Sequence, residues 1–453
     1  MFKSGMSSAA HYFAGLPTSI PFVSNPTKRD PLSFRYYNPS EIIEGKPMSQ
    51  HLPFAAAYWH TIDNPLGDPF GPGTAIRPWD DGPGDLMDRA KRRAEAFFEF
   101  LTRVGIKYWC FHCADVVPYG ASLSEFHRNL DAIVPLFKQL QAATGVKLGW
   151  GTANLFSHPK FVHGSLNASN PAVFAHAAAC VKKMIDVTQE LGGENFVFWG
   201  GRVGYQSLWN TDYEREMATI ARFFELAIAY ADEVKFGGQF LIEPKAREPK
   251  SFQYDFSVAE ARAFLLQFGI ADRFKFNVET DHANLAGRTM GHELRVAGKQ
   301  LGGVDANQPT PCVLWDTDVF PYDRMLTTEM MFQILHVGGI GSGVINFDAK
   351  ARRESFEVRD LFTGHVLGMD AMAFGLKAAA ELRRRGDLQR LVQDRYSDWD
   401  GPYGKGIFDN TTTLGALAAQ AYELTATNPS GRFEEAMTLI GEAMDAVTVR
   451  PAG

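Results

Sequence analysis

Eight short apolar segments between residues 54 and 348 constrain the fold of this chain most strongly. Each is long enough for one buried strand, and stretches with helical spacing of apolar residues separate them. Alternating strands and helices predict an α/β protein with a parallel sheet, and eight such units predict a closed (β/α)8 TIM barrel. The predicted strands are residues 54–59, 106–112, 147–153, 195–200, 238–244, 274–279, 301–306 and 343–348.

The predicted helices carry recognisable end signals. Residues 85–105 stop at a glycine, and residues 122–145 open with the capping-box pattern Ser122 to Glu125. The same apolar spacing predicts further helices over residues 212–234 and 257–269.

Residues beyond about 365 contain helical patterns and no predicted strand, with a loop expected over 397–406. We therefore divide the chain into an N-terminal extension (1–50), a (β/α)8 barrel catalytic domain (51–365) and a helical C-terminal tail (366–453). The tail must bury its apolar face, either on its own barrel or, as we expect, in subunit contacts.

Composition narrows the class of protein. The 453 residues carry a net charge of -7 without a Lys/Arg block, so we expect no nucleic-acid partner. No apolar run approaches 18 residues and the N-terminus makes a poor secretory signal, which predicts no membrane segment and a cytoplasmic enzyme. Cys110 and Cys113 form a C-x-x-C, but on a strand they would face opposite sides, which disfavours a zinc or redox site.

Acidic side chains stand at the ends of successive predicted strands. In a barrel these ends meet on one face, which is the face that carries active sites. Alone, Glu279 and His282 are typical of a capping acid and a packed imidazole. The whole set is harder to explain in that way, and it comprises Glu243, Glu279, His282, Asp305, Asp316, Asp318 and Asp348.

So many carboxylates in one cavity cannot all be ionised without positive charge among them. Lys245 alone is not enough, so the sequence predicts bound divalent cations. Oxygen ligands with one imidazole and no sulfur favour Mg²⁺, Mn²⁺ or Co²⁺ over structural zinc. Seven ligand groups exceed what one octahedral ion accepts, so we expect two ions with one bridging acid.

Other strand ends contribute different chemistry. His112 with Asp115 forms an imidazole–carboxylate pair suited to acid–base work, or else a buried hydrogen-bonded histidine. Trp59 and Trp199 are candidates for the wall of a pocket, although a lone tryptophan is more often core. The glycine clusters "WGGRVG" and "GGIGSG" do not match a nucleotide-binding fingerprint.

Ten stretches in chain order carry a further signal: "FAAAYWHT", "GDPFGPGTAIRPW", "FHCAD", "WGTANLFSHP", "FWGGRVGY", "LIEPKAREP", "FKFNVETDHANLAG", "GGVDAN", "LWDTDVFP" and "NFDAKARR". Taken together, these stretches resemble the xylose isomerase family, in its longer class with an extended N-terminus. The resemblance implies a barrel with a helical tail, usually in a homotetramer. It also implies conversion of D-xylose to D-xylulose, and of D-glucose to D-fructose, by ring opening and a hydride shift.

The resemblance also implies residue roles. Matching positions for the first, substrate-binding metal are Glu243, Glu279, Asp305 and Asp348, and for the second metal Glu279, His282, Asp316 and Asp318. His112 and Asp115 match the ring-opening pair, and Lys245 matches the lysine beside the substrate carbonyl. The pocket positions are Trp59, Thr152, Phe156, Trp199, Lys350 and Phe70, of which Phe70 is expected in a neighbouring subunit's site.

Several positions near these residues depart from the family pattern: Cys113, Val203, Thr280, Asp281, Tyr322 and the run Gln308 to Thr310. None is a predicted metal ligand, but such neighbours tune ligand geometry. An isomerase or epimerase for a different sugar, a metal phosphoesterase barrel and a weakly active descendant that binds sugar and metal therefore stay open as alternatives.

Overall fold

A closed barrel of eight parallel strands forms the body of the protein, in a computed structural model that describes residues 12–24, 30–409, 411–425 and 427–449. The strands follow one another around the barrel in chain order, so the predicted TIM barrel is confirmed. They are β1 Phe54–Ala57, β2 Tyr108–His112, β3 Lys147–Thr152, β4 Asn195–Trp199, β5 Gln239–Glu243, β6 Phe274–Glu279, β7 Leu301–Asp305 and β8 Ile345–Phe347.

The first strand ends earlier than its apolar pattern predicts. The expected strand over 54–59 stops at Ala57, and the chain then winds into a π-helical turn, Trp59–Asp63. In a strand Trp59 and His60 would face opposite sides, whereas here both side chains contact Asp348 at the barrel mouth. π-Helical turns are uncommon and are found disproportionately at functional sites.

Long helices connect the strands, and their ends match the sequence signals. The Asp85 side chain caps the first helix, which ends at Gly105 in the left-handed region. Ser122 accepts from the Glu125 amide, but Glu125 in return binds the Ala121 amide, so only half of the predicted capping box forms. Besides the short unnumbered helices Met48–His51, Cys113–Val116 and Thr280–Leu285, the helices are α1 Leu86–Val104, α2 Leu123–Thr144, α3 Pro171–Glu190, α4 Tyr213–Glu233, α5 Val258–Gln267, α6 Met290–Ala297, α7 Arg324–Val337, α8 Val358–Arg385, α9 Asp387–Asp400, α10 Pro402–Ile407, α11 Leu414–Ala421 and α12 Phe433–Val449.

Apolar side chains fill the barrel interior beneath its carboxyl end, and we call this set of residues the apolar floor. This floor is a small cluster separate from the main core, and Cys110 belongs to it whereas Cys113 belongs to the main core. The two thiols of the C-x-x-C pattern therefore lie in different clusters of side chains. The cysteines at 110, 113, 180 and 312 are free thiols. The floor consists of Ala55, Cys110, Trp150, Val197, Leu241 and Val344.

The C-terminal part is helical, as expected, but the loop predicted over residues 397–406 is wrong. Helix α9 runs through Asp400, and α10 begins at Pro402 after a single break at Gly401. Proline suits the first position of a helix, so Pro402 starts a helix here instead of a loop. Helix α8 passes through residue 365 without interruption. No helix in the described part of the chain is long and apolar enough to cross a membrane.

One carboxylate in α8 anchors the N-terminal segment to the body. Buried Asp370 accepts the backbone N–H groups of Arg35, Tyr36 and Tyr37 at 2.9, 2.6 and 3.0 Å. Three consecutive amides satisfied by one charged acceptor fix the path of the chain as it approaches β1.

Replacing Asp370 by Ala should lower the free energy of unfolding by about 3 kcal/mol, because buried amides lose their acceptor. Urea denaturation measures the change. The control is Asp232→Ala, which removes only a surface pair with Arg273 and should leave stability unchanged. Equal stability of the two variants would contradict the anchoring role of Asp370.

Candidate active site

The predicted acids and histidines meet at the carboxyl end of the barrel. Glu243, Glu279 and Asp305 are the last residues of β5, β6 and β7, and His112 is the last residue of β2. Asp348 follows β8 directly. Because the strands are parallel, their last residues share one rim, so sequence-distant side chains come together.

The carboxylates form two adjoining groups that share Glu279. Ligand atoms of Glu243, Glu279, Asp305 and Asp348 all lie within 4.8 Å of one another, and the same holds for Glu279, Asp316 and Asp318. His282 Nε2 lies 2.9 Å from Glu279 Oε2 and 3.1 Å from Asp316 Oδ2. The structure thus brings together every metal-ligand residue predicted from the sequence.

A layer of asparagines below the rim holds these carboxylates in place. Asn277 Nδ2 donates to Glu243 and Asp305 at 3.0 and 2.9 Å, and Asn346 Nδ2 donates to Asp305 at 2.9 Å. Asn277 and Asn346 precede Glu279 and Asp348 by two residues, so each lies one layer deeper on the same strand face. This two-residue spacing was the available signal, and sequence reasoning missed it. A Cβ at Gly303 would meet Asn277 Oδ1 at 2.5 Å, which explains the glycine there.

The first group is poorly neutralised by the protein. Burial, followed by the charge of Asp305, raises the pKa of Glu243 well above its usual value. Burial and the charge of Asp316 do the same to the pKa of Glu279. Burial and the charge of Asp348 raise the pKa of Asp305 to about 7. Burial and the neighbouring acids thus oppose ionisation of these three carboxyl groups.

Two acids have lowered pKa values because a nitrogen group lies beside each of them. Burial alone would raise the pKa of Asp316, but the ammonium of Lys245 outweighs it and lowers the pKa well below its usual value. For Asp348 the opposing group is His60, whose Nε2 lies 2.8 Å away. His60 was not among the residues predicted from the sequence.

The site fits divalent cations by its own chemistry. Buried Asp316 Oδ1 has no hydrogen-bond partner, so it is available as a ligand. The donor atoms of the seven predicted ligands are carboxylate oxygens and one imidazole, the set preferred by Mg²⁺ and Mn²⁺. A bound cation would stabilise the ionised form of these carboxyl groups, whose ionisation is otherwise opposed by burial and mutual repulsion.

Stripping divalent cations should make the protein lose stability as pH rises from about 4 to about 7. The pKa values of Glu243, Glu279 and Asp305 are raised in the folded protein, and that of Asp305 is about 7. The protonated forms of these carboxyl groups contribute their full stability to the folded protein below the pKa of the unfolded chain. This contribution is lost as the pH rises through the pKa of the folded protein. Thermal unfolding of chelated protein across this interval measures the slope, and excess Mg²⁺ should flatten it. A gain in stability toward neutral pH without cations would contradict this account.

His112 and Asp115 form the predicted pair beside the acidic groups. Asp115 Oδ2 binds both the Nδ1 of His112, at 3.0 Å, and its backbone N–H, at 2.7 Å. A carboxylate at Nδ1 requires the hydrogen there, which leaves Nε2 of the neutral ring as an acceptor. The ring lies edge-on to Trp59 and Phe156, with centroids 4.4 and 5.4 Å away.

Aromatic rings continue from this pair toward the second carboxylate group. Phe156 contacts Trp199 edge-on at 4.5 Å, and Trp199 lies parallel to His282 at 6.5 Å. Lys245 Nζ lies over the Trp199 ring and 2.7 Å from Asp316 Oδ2. Lys350 Nζ pairs with Asp318. Trp150, a missed residue, packs against Trp59 with centroids 5.4 Å apart.

Two predicted pocket residues differ in their contacts. Thr152 is the last residue of β3, and its hydroxyl donates to the Val197 carbonyl, which leaves the oxygen as an acceptor. Phe70 is 98% exposed, in a loop on the surface.

Among the departures from the family pattern, Asp281 contacts the loop that carries Asp316 and Asp318. Its Oδ2 accepts from the N–H and hydroxyl of Thr317 at 2.8 and 3.0 Å, and Thr317 stands between Asp316 and Asp318. Asp281 therefore orders the loop that carries two predicted ligands. Elsewhere, Cys113 and Val203 are buried in the core, and Tyr322 is exposed.

The barrel and its acidic mouth agree with comparisons to known proteins. Residues 77–353 match the family described as xylose isomerase-like TIM barrel. A xylose isomerase of Rhodopirellula baltica is 50% identical over 428 residues, covering 93% of this chain and 97% of its own. One from Geobacillus kaustophilus is 47% identical over 445 residues, covering 98% and 99%. The chain belongs to the xylose isomerase family.

Proposed function

We propose that this protein is a xylose isomerase that interconverts D-xylose and D-xylulose, and D-glucose and D-fructose. The observation that carries the proposal is the pair of carboxylate groups sharing Glu279, adjacent to the His112–Asp115 pair. An aldose–ketose isomerase needs both parts, because the sugar ring must open before hydrogen moves from C2 to C1.

We further propose two divalent cations per subunit, Mg²⁺, Mn²⁺ or Co²⁺. The first would be held by Glu243, Glu279, Asp305 and Asp348, and the second by Glu279, His282, Asp316 and Asp318. When bound, the cations supply Lewis acidity to the sugar oxygens. The asparagine layer keeps the ligand carboxylates in position, as supporting groups do in other metal sites.

Ring opening is assigned to His112. Its Nδ1–H is held by Asp115, so Nε2 can take the proton of the anomeric hydroxyl and return it to the ring oxygen. The bond between C1 and the ring oxygen breaks as the C1 carbonyl forms, and the proton count is unchanged. Asp115 stabilises the imidazolium that exists between the two transfers.

Lys245 and the aromatic wall serve the later part of the reaction. Lys245 is buried and fixed by Asp316, so its ammonium would stabilise negative charge developing at the carbonyl oxygen. Trp59, Phe156 and Trp199 would exclude water from the reacting carbons, which keeps the migrating hydrogen from exchanging with solvent.

Ketose formation from xylose, glucose, ribose and arabinose with Mg²⁺, Mn²⁺ or Co²⁺ tests the function directly. We expect xylulose to form fastest, with no product after chelation. Preference for another sugar would favour the alternative of an isomerase for that sugar. Cation binding without turnover of any aldose would favour a descendant that only binds.

Replacing His112 by Gln should lower turnover of closed-ring xylose about 10²–10⁴-fold, because acid–base assistance to ring opening is lost. The affinity for both cations, measured by calorimetry, should not change, since His112 is assigned no ligand role. If the variant instead loses a cation, His112 is a ligand and its assignment is wrong.

A homotetramer is also proposed, with Phe70 entering a neighbouring subunit's site. Its near-complete exposure supports this, as do the exposed apolar side chains of Leu414 and Phe433 in the tail. Sedimentation of the wild type and Phe70→Ser measures assembly. A fully active monomer would contradict the proposal.

A cytoplasmic location is proposed from the free thiols and is tested by cell fractionation.

A further inference from the structure

The π-helical turn Trp59–Asp63 brings two donors to one oxygen of a predicted metal ligand. His60 Nε2 lies 2.8 Å and Trp59 Nε1 3.0 Å from Asp348 Oδ1. His60 Nε2 also lies 3.5 Å from Asp318 Oδ1, too far for a good hydrogen bond but close enough for electrostatic attraction. Asp348 belongs to the first carboxylate group and Asp318 to the second, so His60 stands between the two.

The hydrogen on His60 is located by its other neighbour. The Leu66 N–H donates to Asn64 Oδ1 at 2.7 Å, which fixes the orientation of the Asn64 amide. Asn64 Nδ2 then faces His60 Nδ1 at 3.4 Å, so Nδ1 accepts. A neutral ring that accepts at Nδ1 carries its hydrogen on Nε2, the atom facing Asp348. The Asn64 contact is long, but its direction agrees with the short bond on the other side of the ring.

We propose that His60 is a positioning residue that donates to Asp348 and holds it in the orientation needed to bind the first cation. This inference rests on the proposed two-cation site. With Oδ1 occupied by the donors of Trp59 and His60, Oδ2 of Asp348 is left as the oxygen for the cation. A carboxylate limited to one free oxygen gives a defined geometry instead of an adaptable one.

His60 also lies beside Asp318, a predicted ligand of the second cation. The backbone of Asp318 is in the left-handed region, at φ 47°, which is uncommon for a residue other than glycine. The Asp318 carbonyl is held by the Lys350 N–H at 2.8 Å and by Arg352 at 2.7 Å. His60 and Lys350 then flank its carboxylate from two sides. The turn thus links the ligand sets of the two cations through one imidazole.

A different role for His60 is chemically possible, because His60, Asp318 and Asp348 converge closely enough to hold an ion themselves. A metal-ligating Nε2 would have to be free of hydrogen, which the Asn64 donor disfavours. Gln can donate through its side-chain amide but is a weak cation ligand, so it separates the two roles.

The test compares His60→Gln, which retains a donor, with His60→Leu, which does not. Calorimetric titration of chelated protein with Mn²⁺ should show His60→Leu weakened about 10–100-fold at one site, and His60→Gln within a few-fold of the wild type. The visible spectrum of Co²⁺-loaded protein should change in His60→Leu and be retained in His60→Gln. The matched controls are His292→Leu and His292→Gln on the surface, which should bind as the wild type does.

Equal losses in the Gln and Leu variants would overturn the donor role and make His60 a ligand. Unchanged binding in both would also overturn it. If His60→Leu does not fold, His60→Phe replaces it, since the aromatic ring keeps the packing without the donor. Failure of the wild type to bind Mn²⁺ would instead overturn the proposed function, so the two failures are distinguishable.

Discussion

Mutual repulsion among buried carboxylates at the barrel mouth is the constraint on which the rest of this structure depends. Glu243, Glu279 and Asp305 are almost inaccessible to water, and their pKa values are raised by burial and by the charges of neighbouring acids. Such a cluster is costly to fold unless cations bind. Stability and the proposed activity are therefore coupled through the same side chains.

Three layers of side chains in the barrel reduce the free-energy cost of burying these carboxylates. An apolar floor seals the barrel, amides of Asn277 and Asn346 donate upward, and the carboxylates lie above them at the rim. Around β8 the two-residue period of a strand places Val344 of the floor, the amide of Asn346 and the acid Asp348 on one face in turn. At the rim, the ammonium of Lys245 supplies positive charge beside Asp316, and His60 lies within hydrogen-bond distance of Asp348.

The barrel was predictable because its strands are continuous apolar runs and its acids stand where those runs end. The turn Trp59–Asp63 was not, since its apolar residues continue the strand pattern and only contacts with Asp348 distinguish it. The helix at Pro402 was missed because proline and glycine are typical of loops as well as of helix starts. Residue roles came from the family resemblance, whereas the structure added the asparagine layer and His60, which depend on tertiary contacts.

Anomalous diffraction from crystals grown with Mn²⁺ would locate the proposed cations. We expect two anomalous peaks per subunit at the carboxyl end of the barrel, both in contact with Glu279. One should be bound by Glu243, Asp305 and Asp348, and the other by His282, Asp316 and Asp318. A single peak, or peaks that do not contact Glu279, would contradict the proposed two-cation site.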